Sequence, residues 1–498
     1  MTNTSINDNK ESGDSFYLSA PNPHFYELGT LIREYRPMAS IADSPRKGVE
    51  GIVMSEDELT AVRYLADGTE AASFTSGDDY PYFQGEAKKN RAKQAILGTF
   101  PYRQPWGILT GVRPSKVAYH YLTRGENGTP CSLGQTVSIL KDHYLLREDK
   151  AQLAAQVALA EKAILEDHKG TDLSIYVGIP FCPTRCLYCS FISSDSRAYQ
   201  RYGDDYILAL SKEIKSAVPL LKGRRINSFY MGGGTPTTLS PDQLERVLDT
   251  ASQVFDFSSL KEITVEAGRP DTITRQKLRV LKKYGVSRIS VNPQTMQQKT
   301  LDLVGRDHTA EQVTSAVYLA REEGFDTINM DLIMGLPGEG EQEAADTLEK
   351  IAALAPENLT VHTLAVKRSS RLNEIGEGKR LLTGDPVREA ELIGKMVDMG
   401  ARCAFRMGMK PYYMYRQKNM AGNFENVGYS LPGKEGRYNV EIMEEKQSIL
   451  AFGAGGVSKI YYPEQDRLER IQNMKGPGEY IERIDEMIER KRKGVPCL

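Results

Sequence analysis

The sequence predicts an α/β protein built around a partial (β/α)6 barrel, with an N-terminal α+β domain and a mostly helical C-terminal domain. Three patterns predict this fold. Short β-branched or aromatic runs alternate with amphipathic helical segments in the middle of the chain, a hairpin signal marks its first part, and helical spacing returns near its end. We therefore place the domains at 1–170, 171–378 and 379–498.

Length and composition support several domains and exclude some classes of partner. The chain has 498 residues, of which 40% are hydrophobic, so it can bury more than one core. Its 64 Lys and Arg residues nearly balance its 66 Asp and Glu residues, which argues against a nucleic-acid partner. No apolar run reaches about 18 residues, and residues 1–15 are polar where a signal peptide is apolar. We expect a cytoplasmic protein without a membrane span.

The N-terminal domain combines a hairpin signal with helical patterns. Asp67-Gly68 separates strand-like runs at 59–65 and 69–74, and predicts a two-residue turn with positive φ angles. Apolar spacing predicts helices over 24–35 and 86–100 and a long helical region over 133–168. The sequence assigns no role to this domain.

Six βα units follow in the middle domain. The predicted strands are 174–179, 228–231, 262–266, 288–291, 327–332 and 359–364. The predicted helices between them are 199–221, 241–255, 272–284, 309–323 and 342–354. Right-handed crossovers bring the carboxyl ends of such strands to one end of the barrel, where barrel enzymes carry their active sites. Eight units close a full barrel, so six predict an open one.

The C-terminal domain is predicted to be helical over 386–405 and 471–493, with a Tyr-, Met- and Asn-rich loop over 412–429. The basic end of the last helix is interpreted as a solvated surface that complements the helix dipole.

Three of the six cysteines lie close together, directly after the first barrel strand. Cys182, Cys186 and Cys189 fit a soft metal or an iron–sulfur cluster. A structural zinc site needs a fourth ligand, which is not found nearby, whereas a [4Fe–4S] cluster held by three thiolates keeps one iron open for another ligand. The remaining cysteines are interpreted as ordinary packed thiols: Cys131, Cys403 and Cys497.

The spacing Cys-x-x-x-Cys-x-x-Cys after a first strand resembles the radical S-adenosylmethionine (radical SAM) superfamily. Within it, Tyr-x-x-Ile-Pro-Phe-Cys at 176–182 and Gly-Gly-Gly-Thr-Pro-Thr at 232–237 are similar to oxygen-independent coproporphyrinogen III oxidase, also called coproporphyrinogen dehydrogenase. This resemblance covers about 173–372, and the segment 105–114, Pro-Trp-Gly-Ile-Leu-Thr-Gly-Val-Arg-Pro, resembles the HemZ-type branch.

The resemblance implies a set of site residues. Cys182, Cys186 and Cys189 would hold a [4Fe–4S] cluster whose open iron binds S-adenosylmethionine. The first S-adenosylmethionine would contact Tyr176, Tyr188, Gly233, Gly234, Thr235 and Glu266. A second S-adenosylmethionine would contact Gln294, Arg306, Asp331 and Ala365. Two structural alternatives stay open: Glu266 as a strand-terminal charge, and an Arg306–Asp331 salt bridge.

The resemblance also implies a reaction. A 5′-deoxyadenosyl radical would remove hydrogen from the β-carbon of a propionate, and loss of carbon dioxide and one electron would leave a vinyl group. Two rounds convert coproporphyrinogen III to protoporphyrinogen IX in anaerobic heme biosynthesis, with electrons from a flavodoxin- or ferredoxin-like donor. Cations for the propionates are sought at Lys367, Arg368 and Arg371, with Arg416 and Lys418 as weaker candidates. The alternative for Lys367, Arg368 and Arg371 is that they are solvated charges on a loop and bind no substrate.

Two positions depart from the oxidase pattern. Gly178 replaces a usual His, and Phe191 replaces a frequent fourth Cys. Phe at that position also occurs in related heme chaperones, which bind heme without decarboxylating propionates. However, the chaperones' His-Asn-x-x-Tyr-Trp stretch is missing, because the only Trp is Trp106 and no His follows His362. A radical SAM enzyme acting on another substrate is the third interpretation.

Overall fold

The computed structural model describes residues 15–20, 24–36, 39–77, 80, 82–83, 86–125, 128–189, 194–365, 372, 386–417 and 423–496. The chain divides into two compact units, Met1–Gln156 with Lys379–Glu389, and Val157–Gly378 with Ala390–Leu498. No helix of the described part is both long and apolar enough to cross a membrane.

The first unit contains a five-stranded mixed sheet in the order β2-β1-β3-β4-β5. Its strands are β1 (Ser15–Ser19), β2 (Ser40–Ala42), β3 (Glu50–Met54), β4 (Thr60–Tyr64) and β5 (Glu70–Thr75). Helices α1 (Phe25–Tyr35) and α2 (Ala87–Gly98) bury apolar side chains in the same core as this sheet. The α+β prediction for this part of the chain is therefore correct in its element types.

The predicted hairpin is confirmed as the antiparallel pair β4–β5, but its turn differs from the prediction. Only Gly68 has a positive φ, of 87°. The Asp67 carboxylate accepts a hydrogen bond of 2.9 Å from the Thr69 amide, and this local bond holds the turn without a positive φ at Asp67.

The long helical region predicted over 133–168 is wrong as a single element. It forms α4 (Leu133–Asp142) and α5 (Glu148–Ile164), which follow α3 (Ser115–Thr123). The helix breaks where Leu145 adopts a left-handed φ of 57° and the Tyr144 carbonyl accepts a hydrogen bond from Ile108 instead of continuing the helix.

The second unit contains the predicted parallel barrel strands, side by side in chain order. They are β6 (Leu173–Ile179), β7 (Ile226–Gly233), β8 (Glu262–Glu266), β9 (Arg288–Ser290), β10 (Ile328–Met334) and β11 (Asn358–Thr363). The helices are α6 (Ser196–Lys215), α7 (Pro241–Phe255), α8 (Arg275–Lys283), α9 (Gln298–Leu303), α10 (Ala310–Glu322) and α11 (Glu341–Leu354). All five predicted helices are found, and the partial (β/α)6 barrel is confirmed.

The C-terminal region adds five strands that the sequence analysis did not predict. β12 (Lys410–Tyr415) and β13 (Asn426–Ser430) extend the sheet beyond β11, while β14 (Ser448–Phe452), β15 (Val457–Tyr462) and β16 (Arg467–Gln472) extend it beyond β6. The region's helices are α12 (Pro386–Arg406), α13 (Arg437–Glu444), α14 (Pro477–Glu482) and α15 (Ile484–Gly494). The Tyr-rich segment predicted as a loop over 412–429 therefore begins within β12 and ends within β13, where Tyr412, Tyr413 and Tyr429 are buried.

The barrel strands are polar on one face and apolar on the other. Ile175, Phe229 and Leu332 are fully buried against the helical layer. Neighbouring positions on the opposite face are linked across strands, as in the 3.0 Å bond between the Ser228 and Ser174 hydroxyls. Polar residues can lie inside because each finds a partner there.

The amino-terminal ends of the strands are closed by α13. Glu441 on this helix is fully buried and accepts hydrogen bonds of 2.5 Å from both Ser174 and Ser228. The Glu262 carboxylate accepts a 2.6 Å bond from the Arg437 amide at the start of the helix. Helix α13 therefore covers the amino-terminal ends of β6, β7 and β8.

The basic end of the last helix is not entirely solvated, as had been predicted. Lys491 on α15 is buried and donates hydrogen bonds to Glu213 at 2.6 Å and to Asn473 at 2.7 Å. Glu213 also accepts bonds from Tyr480 and from the Gly453 amide. A buried charge needs such partners, so this network attaches the end of the chain to α6.

Candidate functional site

The three clustered cysteines lie on one loop at the carboxyl end of β6. The loop begins with a bridge in which the Cys182 amide donates to Ser194 at 2.9 Å and the Ser194 amide donates to Pro180 at 2.7 Å. Further along, the Leu187 amide donates to Val304 and the Cys189 amide to Cys186. Backbone bonds therefore fix the loop at several points.

The glycine-rich end of β7 packs directly against this loop. The Gly234 amide donates to Ile179 and the Thr235 amide to Phe181, both at 2.8 Å. A β-carbon on Gly234 would lie 2.6 Å from the Phe181 carbonyl oxygen and 3.0 Å from the Cys182 sulfur. Gly233 has a φ of 115°, which favours glycine. Glycines are required here because two strand ends and a thiol meet.

Thr235 also contacts the cysteine loop, with its hydroxyl 3.4 Å from the Cys182 sulfur. The structure therefore brings Cys182, Gly233, Gly234 and Thr235 together, as the sequence predicted for one site. Burial raises the pKa of the Cys182 thiol to about 11. A coordinated metal reverses this effect, because a thiol that binds a metal loses its proton.

Two buried arginines face Cys186. Arg269 Nη1 lies 3.8 Å and Arg306 Nη1 4.0 Å from the Cys186 sulfur. Arg306 also donates to the Tyr188 hydroxyl at 2.8 Å and to the Asn292 carbonyl at 2.7 Å. Nearby cations stabilise thiolates, so this environment suits negatively charged sulfur ligands.

The donor set fits an iron–sulfur cluster better than a single metal ion. In the described part of the chain, no three Cys, His, Asp or Glu side chains converge closely enough to hold one ion. Thiolates that hold a [4Fe–4S] cluster each bind a different iron and need no common point. Three thiols on one fixed loop, beside two cations and a glycine edge, fit such a cluster.

Glu266 lies at the carboxyl end of β8, next to the glycine edge. It accepts a 2.5 Å hydrogen bond from the Tyr230 hydroxyl, and burial raises its pKa to about 7. Tyr176 stacks beside Tyr230, with ring centroids 6.3 Å apart. Glu266 is therefore part of a packed polar cluster with Tyr176, and not an isolated charge at a strand end.

Gln294 and Asp331 are neighbours on the next part of the barrel edge. The Gln294 amide donates to the Asp331 carbonyl at 2.9 Å, and Gln294 has a positive φ of 69°. The Gln294 side-chain oxygen is buried without a hydrogen-bond partner in the structure. An acceptor that is buried without a hydrogen-bond partner costs free energy. Such an atom is typical of a site where a ligand supplies the missing donor.

The alternative Arg306–Asp331 salt bridge is wrong. Arg306 binds Tyr188 and backbone carbonyls, whereas the Asp331 carboxylate accepts a 2.8 Å bond from Asn329 and lies 3.8 Å from His362 Nε2. Burial alone would raise the pKa of Asp331, but His362 and Asn329 more than offset it, and the pKa lies below its usual value.

Other predicted positions are placed as follows. Ala365 follows β11 and is half-buried, and Cys403 is a buried, packed thiol as expected. Arg416 is buried and donates to the Asn423 carbonyl at 3.3 Å. Several predictions lie outside the described residues: Lys367, Arg368, Arg371, Lys418, Phe191 and Cys497.

The sequence analysis missed Arg269, Tyr230 and His362. Arg269 follows Gly268 only three residues after β8 ends, and its position at the same strand end as Glu266 was the available signal. Tyr230 and Gly232 are two residues apart on β7 and therefore lie on the same face of the strand. Gly232 leads into the glycine edge, and this was the available signal for Tyr230. His362 pairs with Ile333 in the β10–β11 register, two positions beyond the Asp331–Thr360 pair, so its approach to Asp331 depends on register between strands.

Comparison with known proteins places these residues in context. Residues 176–351 match the family model for the radical SAM superfamily. The chain is 39% identical over 395 residues to the oxygen-independent coproporphyrinogen-III oxidase-like protein HemZ of Bacillus subtilis, covering 78% of this chain and 77% of HemZ. It is 30% identical over 283 residues to the heme chaperone HemW of Bacillus subtilis, covering 57% of this chain and 69% of HemW.

A solved structure is also similar. Coproporphyrinogen III oxidase (HemN) from Escherichia coli, a radical SAM enzyme, superimposes with a TM-score of 0.51 at 25% sequence identity. The match covers 66% of this chain and 73% of that protein. The similarity therefore includes the barrel that carries the cysteine loop.

Proposed function

Because this chain belongs to the HemN- and HemZ-like family of radical SAM proteins, we propose that it oxidatively decarboxylates two propionates of coproporphyrinogen III, giving protoporphyrinogen IX. The observation that carries this proposal is the cysteine loop at the open end of the barrel, packed on the glycine edge of β7. Cys182, Cys186 and Cys189 would hold a [4Fe–4S] cluster at that position.

When bound, the cluster and S-adenosylmethionine supply the 5′-deoxyadenosyl radical that removes hydrogen from the propionate β-carbon. The chain's own residues would bind and orient. Gly233 and Gly234 present bare backbone to a ligand, and Glu266 offers a carboxylate for ribose hydroxyls. Tyr176 and Tyr188 would flank the same molecule.

A second S-adenosylmethionine would use Gln294, Asp331, Arg306 and Ala365. The buried orphan oxygen of Gln294 supports a ligand at this position. Arg306 lies beside Cys186 and donates to Tyr188. We therefore expect this arginine to interact with ligands on the cluster side of the site and not on the side of Asp331.

The tetrapyrrole substrate is anionic and needs cations. Lys367, Arg368 and Arg371 follow β11 in the sequence and are proposed to pair with propionates. Arg416 is buried against Asn423, which makes it a weaker candidate. We further propose a cytoplasmic enzyme that receives electrons from a flavodoxin- or ferredoxin-like protein.

Heme binding without catalysis is the second candidate, favoured by the 30% identity to the heme chaperone HemW. Against it, the chain lacks the His-Asn-x-x-Tyr-Trp stretch that chaperones share, and residues 412–415 of its corresponding segment, 412–419, lie in β12. A radical SAM enzyme with a different substrate is the third. A β-carbon at Gly178 would meet its nearest atoms at 3.4–3.5 Å, which is ordinary contact. The space at this position therefore does not distinguish a heme chaperone from a radical SAM enzyme with a different substrate.

The test begins with the anaerobically reconstituted protein. We expect S-adenosylmethionine cleavage to 5′-deoxyadenosine, and loss of both this product and the cluster absorbance in Cys186→Ala. Retention of both in the variant would refute the cluster assignment. Coproporphyrinogen III is then supplied under reducing conditions, and vinyl-group formation is measured.

Two outcomes separate the alternatives. Stoichiometric binding of heme without any decarboxylation would favour the chaperone. Formation of 5′-deoxyadenosine without decarboxylated tetrapyrrole would favour another substrate.

A further inference from the structure

The first unit contains a pocket that the radical SAM chemistry does not use. It has a volume of about 290 Å³ and is formed by α1, α2, α3 and the segment between α2 and α3. That segment includes the 105–114 motif, to which the sequence analysis assigned no function. The pocket therefore connects this motif with a candidate ligand site.

The motif is held by close packing. Trp106 is fully buried, and Gly107 has a φ of 51° with room for no β-carbon, since one would lie 2.2 Å from the Tyr144 carbonyl oxygen. The Ile108 amide donates to that same carbonyl at 3.0 Å. The first half of the motif thus fixes the backbone, and the second half, Leu109 to Pro114, lines the pocket.

The described residues that line the pocket include four basic and two acidic side chains. The basic side chains are Lys89, Lys93, Arg113 and Lys116, and the acidic ones are Glu27 and Glu86. Glu86 is paired with Lys89 at 2.5 Å. An anion would find a net positive environment here.

Lys93 is the most unusual of these residues. It is only 6% exposed, and its ammonium donates to the Ile108 carbonyl at 3.3 Å and to the Thr110 hydroxyl at 3.0 Å. No carboxylate of a described residue lies within ion-pairing distance of it. An ammonium has three donors, so two neutral acceptors leave one donor over, while the more distant carboxylates of Glu86, Glu34 and Glu27 favour the charged form. Burial lowers the pKa of Lys93 to about 8, and a bound anion would favour the charged form.

Helix α3 starts at the same pocket. Pro114 is its N-cap and offers no capping side chain, while the Lys116 and Val117 amides donate to the Arg113 and Pro114 carbonyls, both at 3.2 Å. The positive end of the helix dipole therefore adds to the charge of Lys93 and Lys116. Apolar surface lies beside these charges, contributed by Phe83, Leu109, Val117 and Tyr144.

From this juxtaposition we infer that the pocket binds a small organic anion, with a carboxylate or phosphate group at Lys93 and the start of α3 and an apolar body against Phe83 and Val117. The N-terminal unit is then a ligand-binding unit, which is a function beyond the decarboxylation proposed for the barrel.

The experiment is calorimetric titration of the full chain with three probes: phenyl phosphate, benzoate and neutral benzyl alcohol. We expect at least one anion to bind and benzyl alcohol not to bind. The anion that binds more tightly identifies the headgroup as phosphate or carboxylate. Equal binding of benzyl alcohol would overturn the inference, and so would the absence of binding by both anions.

Variants locate the site. Lys93→Met keeps the length of the buried side chain and should weaken anion binding roughly tenfold to a hundredfold, the effect of losing one charge-assisted hydrogen bond. Lys116→Gln should also weaken anion binding, and it provides a second test of the site if Lys93→Met does not fold. Lys47→Gln is the matched control, because Lys47 is exposed and outside the pocket. Unchanged affinity in Lys116→Gln and in folded Lys93→Met would contradict the assignment.

Discussion

Gly234→Ala gives a sharp test of the glycine edge at the cysteine loop. The added β-carbon would lie 2.6 Å from the Phe181 carbonyl oxygen, about 0.8 Å short of the 3.4 Å at which ordinary contact begins. The obstacle is backbone fixed by the Thr235 amide bond, so it cannot rotate away as a side chain would. The Cys182 sulfur, 3.0 Å from the same β-carbon, must also give way.

Overpacking of this kind costs about 1–3 kcal/mol. We expect Gly234→Ala to lower the melting temperature and, because Cys182 moves, to lose most of its iron after anaerobic reconstitution. Gly178→Ala is the matched control, since its β-carbon meets neighbours only at 3.4–3.5 Å. The assay is iron content and cluster absorbance for both variants. Wild-type iron content and melting temperature in Gly234→Ala would refute the reasoning.

Two other predictions concern stability. Lys491→Met leaves the Glu213 carboxylate buried without its cation and should lower the free energy of unfolding by about 3–5 kcal/mol in urea, whereas the double variant with Glu213→Gln should recover part of it; equal stability of the Lys491→Met and wild-type proteins would contradict this. Because the pKa of Glu266 is raised to about 7, the folded protein binds its proton more tightly, so this residue's contribution to stability is full below about pH 4.5 and is lost as the pH rises through 7. This loss of stability between about pH 4.5 and 7 is at most about 3 kcal/mol, and it should be missing when the urea unfolding of Glu266→Gln is measured as a function of pH. A pH profile identical to that of the wild-type protein would contradict this prediction.

The barrel could be predicted from the sequence because its signals are local. The strands alternate apolar and polar residues, and the helices carry apolar spacing, several of them after a capping side chain such as Ser240 before α7. The strand at β12 could not be predicted, because its tyrosines are buried by contacts distant in the chain: the Tyr412 hydroxyl accepts hydrogen bonds from Arg288 and Asn439, and Tyr413 pairs with Gly428 of β13. The break after α4 depends on the Tyr144–Ile108 bond, which is also long-range.

The candidate site shows the same division. The cysteines were identified by their spacing along the chain, and Gly233, Gly234 and Thr235 by the family resemblance; the structure places Cys182 against Gly234 and Thr235. The partners of Arg306 and Asp331 were not predictable, since Tyr188 and His362 meet them only after the barrel curls. Arg269 was missed for the same reason, because its sulfur contact joins two strand ends.

The central claim is that this chain removes hydrogen from propionate side chains by radical chemistry, and isotope transfer tests it most directly. The reconstituted protein is incubated anaerobically with S-adenosylmethionine, a reductant and coproporphyrinogen III deuterated at the propionate β-carbons. The account predicts deuterium in the 5′-deoxyadenosine and a product with two vinyl groups. Unlabelled 5′-deoxyadenosine together with intact substrate would contradict it.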